Sequence, residues 1–214
     1  MILQEPDVAI TDYFLAIECF VFALLVWRGR TSEISKKNWI SVCFLSLGLA
    51  SLFGGTVHGF FVDESSKGFR IFWPLTLLSI GLTACSAMFV GLSIYEMHRW
   101  RKVLNPIIWF LFLGYGITVV FIDQAFRIAI FFYVPAALFL LSASCHIYRR
   151  NRDLPALAGL LGITGTLLAP IIQQMKINFP ALHLSYNAAF HIVQAAALGM
   201  IFWSARWYLG KEHL

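Results

Sequence analysis

Seven long apolar runs constrain this chain more than any other feature of its sequence. They lie at residues 9–27, 39–62, 72–96, 104–122, 127–147, 155–175 and 184–208. The longer runs reach the roughly 20 residues that an α-helix needs to cross a bilayer, and the alternation typical of a barrel strand is absent. The sequence therefore predicts an all-α, polytopic membrane protein, with one domain over residues 1–214 and seven transmembrane helices.

The overall composition agrees with this prediction. Hydrophobic residues make up 59% of the 214 residues and charged residues only 13%, which is more apolar surface than a soluble domain of this size would bury. Residues 1–7 lack both a basic stretch and a cleavage pattern, so we expect the first helix to be retained. The connections are short, and we expect no soluble domain and no nucleic-acid partner.

The basic residues predict the orientation of the helices. Twelve of the sixteen follow spans 1, 3, 5 and 7: Arg28, Arg30, Lys36, Lys37, Arg99, Arg101, Lys102, Arg149, Arg150, Arg152, Arg206 and Lys211. Loops rich in lysine and arginine stay in the cytoplasm. We therefore expect the N-terminus outside and the C-terminus in the cytoplasm.

A polar stripe opens the seventh span. His183, Asn187 and His191 recur every four residues, and Gln194 follows on the same side of the helix. A step of four residues returns to nearly the same helical face with a rise of about 6 Å. Ionisable and amide side chains inside a membrane are costly, so the stripe is a candidate functional site.

Other polar residues are predicted at the same, extracytoplasmic side. His58 lies near the outer end of span 2, Asp12 near the outer start of span 1 and Asp123 at the outer end of span 4. Glu18 is closer to mid-depth. A buried histidine must find a partner, and His58 with His191 would form either a shared metal site, an interhelical hydrogen-bond network or a bis-histidine haem site. Hydrated interfacial positions explain His183 and Asp123 equally well.

The chain resembles a known superfamily in its topology and in three short motifs. These are Gly-Gly-x-x-His-Gly ending at Gly59, Asn-x-x-x-His-x-x-Gln from Asn187 to Gln194, and the acidic pattern of Asp12-Tyr13 and Glu18. They resemble the CREST superfamily of alkaline ceramidases and adiponectin-receptor-like seven-helix proteins. The resemblance implies a small bacterial relative in the inner membrane that takes a membrane lipid as substrate or ligand.

The resemblance also implies a zinc site, with one histidine from span 2 and an H-x-x-x-H pair from span 7. Carried over by position, His58 is the first ligand, and Asn187 with His191 takes the place of the pair. The family's serine four residues before the span-2 histidine corresponds to Gly54, and span 3 contains no aspartate. An amide is a poor zinc ligand, so Asn187 departs from the pattern.

A complete site would need another donor. His183 lies about 12 Å from His191 along the helix, so Asp12 or Asp123 would supply the third ligand or the general base, with Glu18 and Gln194 in supporting positions. Zinc would lower the pKa of its bound water and direct hydroxide at a lipid amide or ester. The resemblance thus implies a metal-dependent lipid hydrolase. The alternatives are a non-catalytic binding or structural protein with a polar network, and a haem electron carrier.

Overall fold

A computed structural model of the chain describes residues 3–177 and 185–210. The described ranges fold into seven α-helices: α1 (Pro6–Arg28), α2 (Ile34–Phe60), α3 (Lys67–Ile94), α4 (His98–Ile117), α5 (Phe126–Asn151), α6 (Leu154–Gln174) and α7 (Tyr186–Gly210). A short π-helical turn, Thr118–Ile122, continues α4. All seven helices are long and apolar enough to cross a membrane. The predicted seven-helix membrane fold is confirmed.

The helices extend past several predicted spans because polar turns continue them. Helix α1 begins at Pro6, where a proline suits the first helical turn. Helix α3 begins at Lys67, since the Ser66 hydroxyl accepts a hydrogen bond from the Phe69 N–H at 3.1 Å and caps the helix. Apolar runs show only the part of each helix that enters the hydrocarbon.

Large apolar side chains cover much of the outer surface. The exposed fractions are 72% for Phe14, 73% for Phe110, 81% for Phe121 and 73% for Phe131. Such a surface is unfavourable in water and favourable against lipid chains. The distribution supports an integral, multi-pass membrane protein.

Helix α3 is the most buried of the seven, and it packs against α2, α4 and α5. Helix α1 packs against α2 and α7, and α6 packs against α5 and α7. Helix α7 therefore lies between α1 and α6. The starts of α1 and α7 and the end of α2 meet at the same end of the bundle.

Glycines bring α6 and α7 into close contact. A Cβ atom at Gly162 would lie 2.7 Å from the carbonyl oxygen of Ala197, and one at Gly159 would collide with the Ser204 hydroxyl. Small residues allow membrane helices to approach closely. Glycine at these two positions therefore permits the close approach of α6 to α7.

The two ends of the bundle differ in charge. The basic end carries the arginine-rich segments after α1, α3 and α5, and there Arg206 Nη1 donates to the Leu25 carbonyl at 2.8 Å. At the opposite end, here called the polar end, the Gln4 N–H donates to the Gly59 carbonyl at 3.1 Å. The candidate site lies toward the polar end.

Candidate functional site

A histidine of α7 and an aspartate of α1 form a buried pair near the polar end. His191 Nε2 lies 3.2 Å from Asp12 Oδ1, and the two residues are only 7% and 4% exposed. Asp12 is the seventh residue of α1 and His191 the sixth residue of α7, so each lies in the second turn of its helix. The structure thus brings together two residues that the sequence analysis placed toward the same, extracytoplasmic side.

Thr11 orients the other side of the His191 ring. Its hydroxyl oxygen lies 3.1 Å from His191 Nδ1, and it also lies 2.8 Å from the Asp7 carbonyl and 2.9 Å from the Val8 carbonyl. The hydroxyl has one proton, which it donates to these carbonyls, so it accepts from the ring. We therefore assign the proton of the neutral imidazole to Nδ1.

This assignment leaves Nε2 facing a carboxyl oxygen. Two unprotonated acceptors 3.2 Å apart would repel each other, so the His191–Asp12 pair holds one additional proton, either on the carboxyl group or on the ring. The pair is neutral overall in both cases. A shared proton explains how two ionisable side chains remain buried together in a membrane-spanning bundle.

Two adjacent glycines of α2 make room for Asp12. A Cβ atom at Gly55 would lie 2.8 Å from Asp12 Cβ, and a Cβ atom at Gly54 would lie 3.5 Å from Asp12 Oδ2 and 3.6 Å from Thr76 Cγ2. The carboxyl group of Asp12 therefore lies directly beside Gly54.

His58 has a different acidic partner. Its Nδ1 lies 2.5 Å from Glu5 Oε2, immediately before α1. The backbone supports this contact, because the Glu5 N–H donates to the His58 carbonyl at 3.2 Å.

Asn187 faces α6 rather than His191. Its Oδ1 accepts a hydrogen bond from Gln173 Nε2 at 3.1 Å, and at the start of the same helix the Ser185 N–H donates to Asp7 Oδ2 at 3.1 Å. Four residues rotate a helix by about 40° beyond a full turn. The stripe predicted on one face of span 7 therefore contacts two neighbouring helices.

The structure gives the other predicted residues, Gln194, Glu18 and Asp123, different surroundings. Gln194 is buried, whereas Glu18 is half-buried and directs Oε1 toward Gly199 of α7. Asp123 accepts from the Ala125 N–H at 2.8 Å and pairs with Arg127 at 3.1 Å. The structure therefore brings Asp12, rather than Asp123, to His191. His183 lies outside the described residues.

The donors at this site fit zinc only in part. Two ligands of one tetrahedral zinc ion at 2.0–2.2 Å stand about 3.4 Å apart, which is close to the separation of His191 Nε2 and Asp12 Oδ1. However, no three histidine, cysteine, aspartate or glutamate side chains within the described ranges are placed to hold one metal ion. These residues do not complete a zinc site. Haem ligation by His191 would likewise have to displace Thr11 or Asp12.

Sequence reasoning missed the partners of the two histidines. Thr11 and Glu5 carry no motif, and their roles depend on how α1 is positioned against α7 and α2. Glu5, Thr11 and Asp12 lie at or just before the N-terminal end of α1, where this helix meets its two histidine-bearing neighbours.

Comparison with known proteins places the chain in a family. Neither the curated proteins nor the solved structures give a match. The family model that matches is described as a family of unknown function (DUF6962), and the match covers residues 8–209. Because this match includes nearly the whole membrane bundle, the chain belongs to that family of unknown function.

Proposed function

We propose that this protein binds a membrane lipid inside its helical bundle. The observation that carries the proposal is an apolar cavity between helices in the half of the bundle toward the basic end. This cavity, here called the chain cavity, is lined by helices α2, α3, α5, α6 and α7. Its volume is about 90 Å³. Ligand sites in proteins are mostly apolar and concave, and they often lie between the helices of bundles.

Three polar groups in the cavity wall, on Thr83, Tyr133 and Thr166, already have protein partners. Thr83 Oγ1 lies 2.8 Å from Ser46 Oγ and donates to the Ser79 carbonyl at 3.0 Å, while the Tyr133 hydroxyl donates to Thr166 Oγ1 at 3.1 Å. These groups do not need water to satisfy them. A wall of this kind favours hydrocarbon over water.

The dimensions of the chain cavity suit one acyl chain. Along α3 the lining residues run from Thr83 to Ile94, a rise of about 16 Å. This is about half of the roughly 30 Å hydrocarbon core, so it matches the depth of one leaflet. A volume of about 90 Å³ spread over this length makes the cavity long and narrow.

Native mass spectrometry of the protein purified from membranes tests this proposal. We expect the natural chain to retain lipid, and Ala137→Phe to lose it, because Ala137 lines the cavity and is 2% exposed. Leu138→Phe is the matched control, since Leu138 is the next residue of α5 and is 52% exposed. Retention of equal lipid by a folded Ala137→Phe variant, or no bound lipid in the natural chain, would show that the proposal is wrong.

In this proposal the polar pairs fix the helices around the ligand. His191 links α7 to Thr11 and Asp12 of α1, and Asn187 links the same helix to α6. His58 links α2 to the start of α1. Interhelical hydrogen bonds of this kind stabilise membrane bundles by about 0.6–1.7 kcal/mol each. The network supports a non-catalytic binding protein.

The buried His191–Asp12 pair favours a second candidate function, hydrolysis of a lipid amide or ester. The pair would accept a proton from water as the water oxygen bonds to the carbonyl carbon. It would return that proton to the leaving nitrogen or oxygen as the carbon–nitrogen or carbon–oxygen bond breaks. No step here uses zinc, because the described residues do not complete a zinc site.

Hydrolysis assays with and without a zinc chelator test this candidate. We expect Asp12→Asn and His191→Gln to abolish cleavage of a lipid amide or ester, and the exposed Glu64→Gln control to keep it. Cleavage that survives Asp12→Asn would exclude the candidate mechanism. Cleavage that stops with chelator would instead support zinc, with a ligand from outside the described residues.

The proposed location is a bacterial inner membrane, with the basic end in the cytoplasm. The support is the sequence itself, since twelve of the sixteen basic residues follow alternate helices. The N-terminus and the His191–Asp12 pair would then lie toward the extracytoplasmic side. The chain cavity would open toward the cytoplasmic leaflet.

A further inference from the structure

The chain cavity adjoins a second pocket at the basic end, here called the head pocket. Its volume is about 200 Å³, and its lining consists of Ile94, Glu96, His146, Ile147, Arg150, Asn151 and Tyr208. Three of these residues, Ile94, Ile147 and Tyr208, also line the chain cavity. The two spaces therefore share a wall, with the apolar one inside the bundle and the polar one at its surface.

We propose that the two adjoining spaces together select a single-chain phospholipid with a zwitterionic phosphoethanolamine headgroup. This inference rests on the proposed lipid binding and adds the class of lipid. The acyl chain would enter the chain cavity, and the headgroup would occupy the head pocket. A ligand with both parts matches the change from apolar to polar lining along the site.

The charges of the head pocket match both charges of this headgroup. Arg150 supplies a guanidinium, which binds phosphate oxygens through charge-assisted hydrogen bonds. Glu96, exposed in the same lining, supplies a carboxylate that accepts from an ammonium group. A fatty acid or a purely anionic headgroup could pair with Arg150, but it would offer no cation to Glu96.

The size of the head pocket also separates the ligand classes. Its volume is about 200 Å³. A bare carboxylate would leave most of the pocket to water, whereas a glycerophosphoethanolamine group fills more of it. The narrow chain cavity admits one acyl chain rather than two.

Tyr208 lies at the boundary between the two spaces. The Lys36 ammonium lies over the Tyr208 ring, 5.3 Å from the ring centre.

Titration of the purified protein by native mass spectrometry tests the inference. The probes are palmitoyl-lysophosphatidylethanolamine, palmitoyl-lysophosphatidylglycerol and palmitate, each at the same concentrations. We expect lysophosphatidylethanolamine to bind about tenfold more tightly than the other two, as one additional charged hydrogen-bonded contact implies. Arg150→Gln should weaken binding of both phospholipids by about tenfold or more.

Two further variants complete the test. Arg149→Gln is the matched control, because Arg149 is the exposed neighbour of Arg150 and is not part of the lining. Glu96→Gln should remove the preference for ethanolamine over glycerol while the protein keeps its melting temperature. Equal binding of the three probes, or equal effects of Arg150→Gln and Arg149→Gln, would overturn the inference while leaving lipid binding intact. Absence of binding by all three probes would overturn both proposals.

Discussion

Nε2 of His191 lies 3.2 Å from Oδ1 of Asp12, so that the first and the last helices of the bundle meet through two ionisable side chains. Thr11 accepts a hydrogen bond from the other ring nitrogen, Nδ1, and so fixes Nε2 as the nitrogen that meets the carboxyl group. One shared proton keeps the pair neutral. The contact therefore works as a hydrogen-bonded unit, and its energetics depend on that proton.

Asp12→Ala should destabilise the protein by about 1–3 kcal/mol, because it leaves Nε2 of the neutral His191 ring buried without a hydrogen-bond partner. Asp12→Asn should cost less, since an asparagine amide can donate to Nε2 as a protonated carboxyl group does. Thermal unfolding in detergent measures both effects, and Glu64→Ala is the control because Glu64 is exposed. If Asp12→Asn were as harmful as Asp12→Ala, the shared-proton assignment would be wrong.

Gly55→Ala should force α1 and α2 apart. A Cβ atom at Gly55 would lie 2.8 Å from Asp12 Cβ and 3.4 Å from the Ala9 carbonyl oxygen, so we expect a loss of about 1–3 kcal/mol. Gly114→Ala is the matched control, since nothing lies within 4 Å of a Cβ atom there. That control should be neutral or gain up to about 1 kcal/mol from helix propensity. Equal melting temperatures for the two variants would contradict the close approach.

The sequence was sufficient to predict the seven helices because their apolar runs directly reflect the thickness of the bilayer. It also identified Asp12 as one of two acids able to reach His191, on the basis of depth. It did not distinguish Asp12 from Asp123. That choice depends on which helices are neighbours, and α1 packs against α7 in the structure.

The partners of individual side chains could not be predicted from spacing alone. Asn187 and His191 share a stripe by periodicity, yet one contacts Gln173 and the other contacts α1. The drift of about 40° per four residues is enough to direct them to different helices. The chain cavity was also beyond prediction, since it depends on packing among five helices.

Reporter fusions test the proposed orientation. Green fluorescent protein fused after the C-terminus should fluoresce, and alkaline phosphatase at the same point should be inactive, because the basic end is expected in the cytoplasm. A fusion after Glu64, in the connection between α2 and α3, should give the reverse result. Active phosphatase at the C-terminus would show that the bundle has the opposite orientation.

The hydrogen bond between Gln173 and Asn187 predicts coupling between α6 and α7. Gln173→Leu and Asn187→Leu each leave the other amide without its partner, whose nitrogen–oxygen distance is 3.1 Å. The double variant leaves neither amide, so it should cost less than the sum of the single variants, by about 0.6–1.7 kcal/mol. Unfolding in mixed detergent micelles measures all three, and Gln174→Leu is the exposed neighbouring control. Strictly additive losses would indicate that the two amides contribute nothing to each other, and that α7 is held against α6 by the glycine contacts alone.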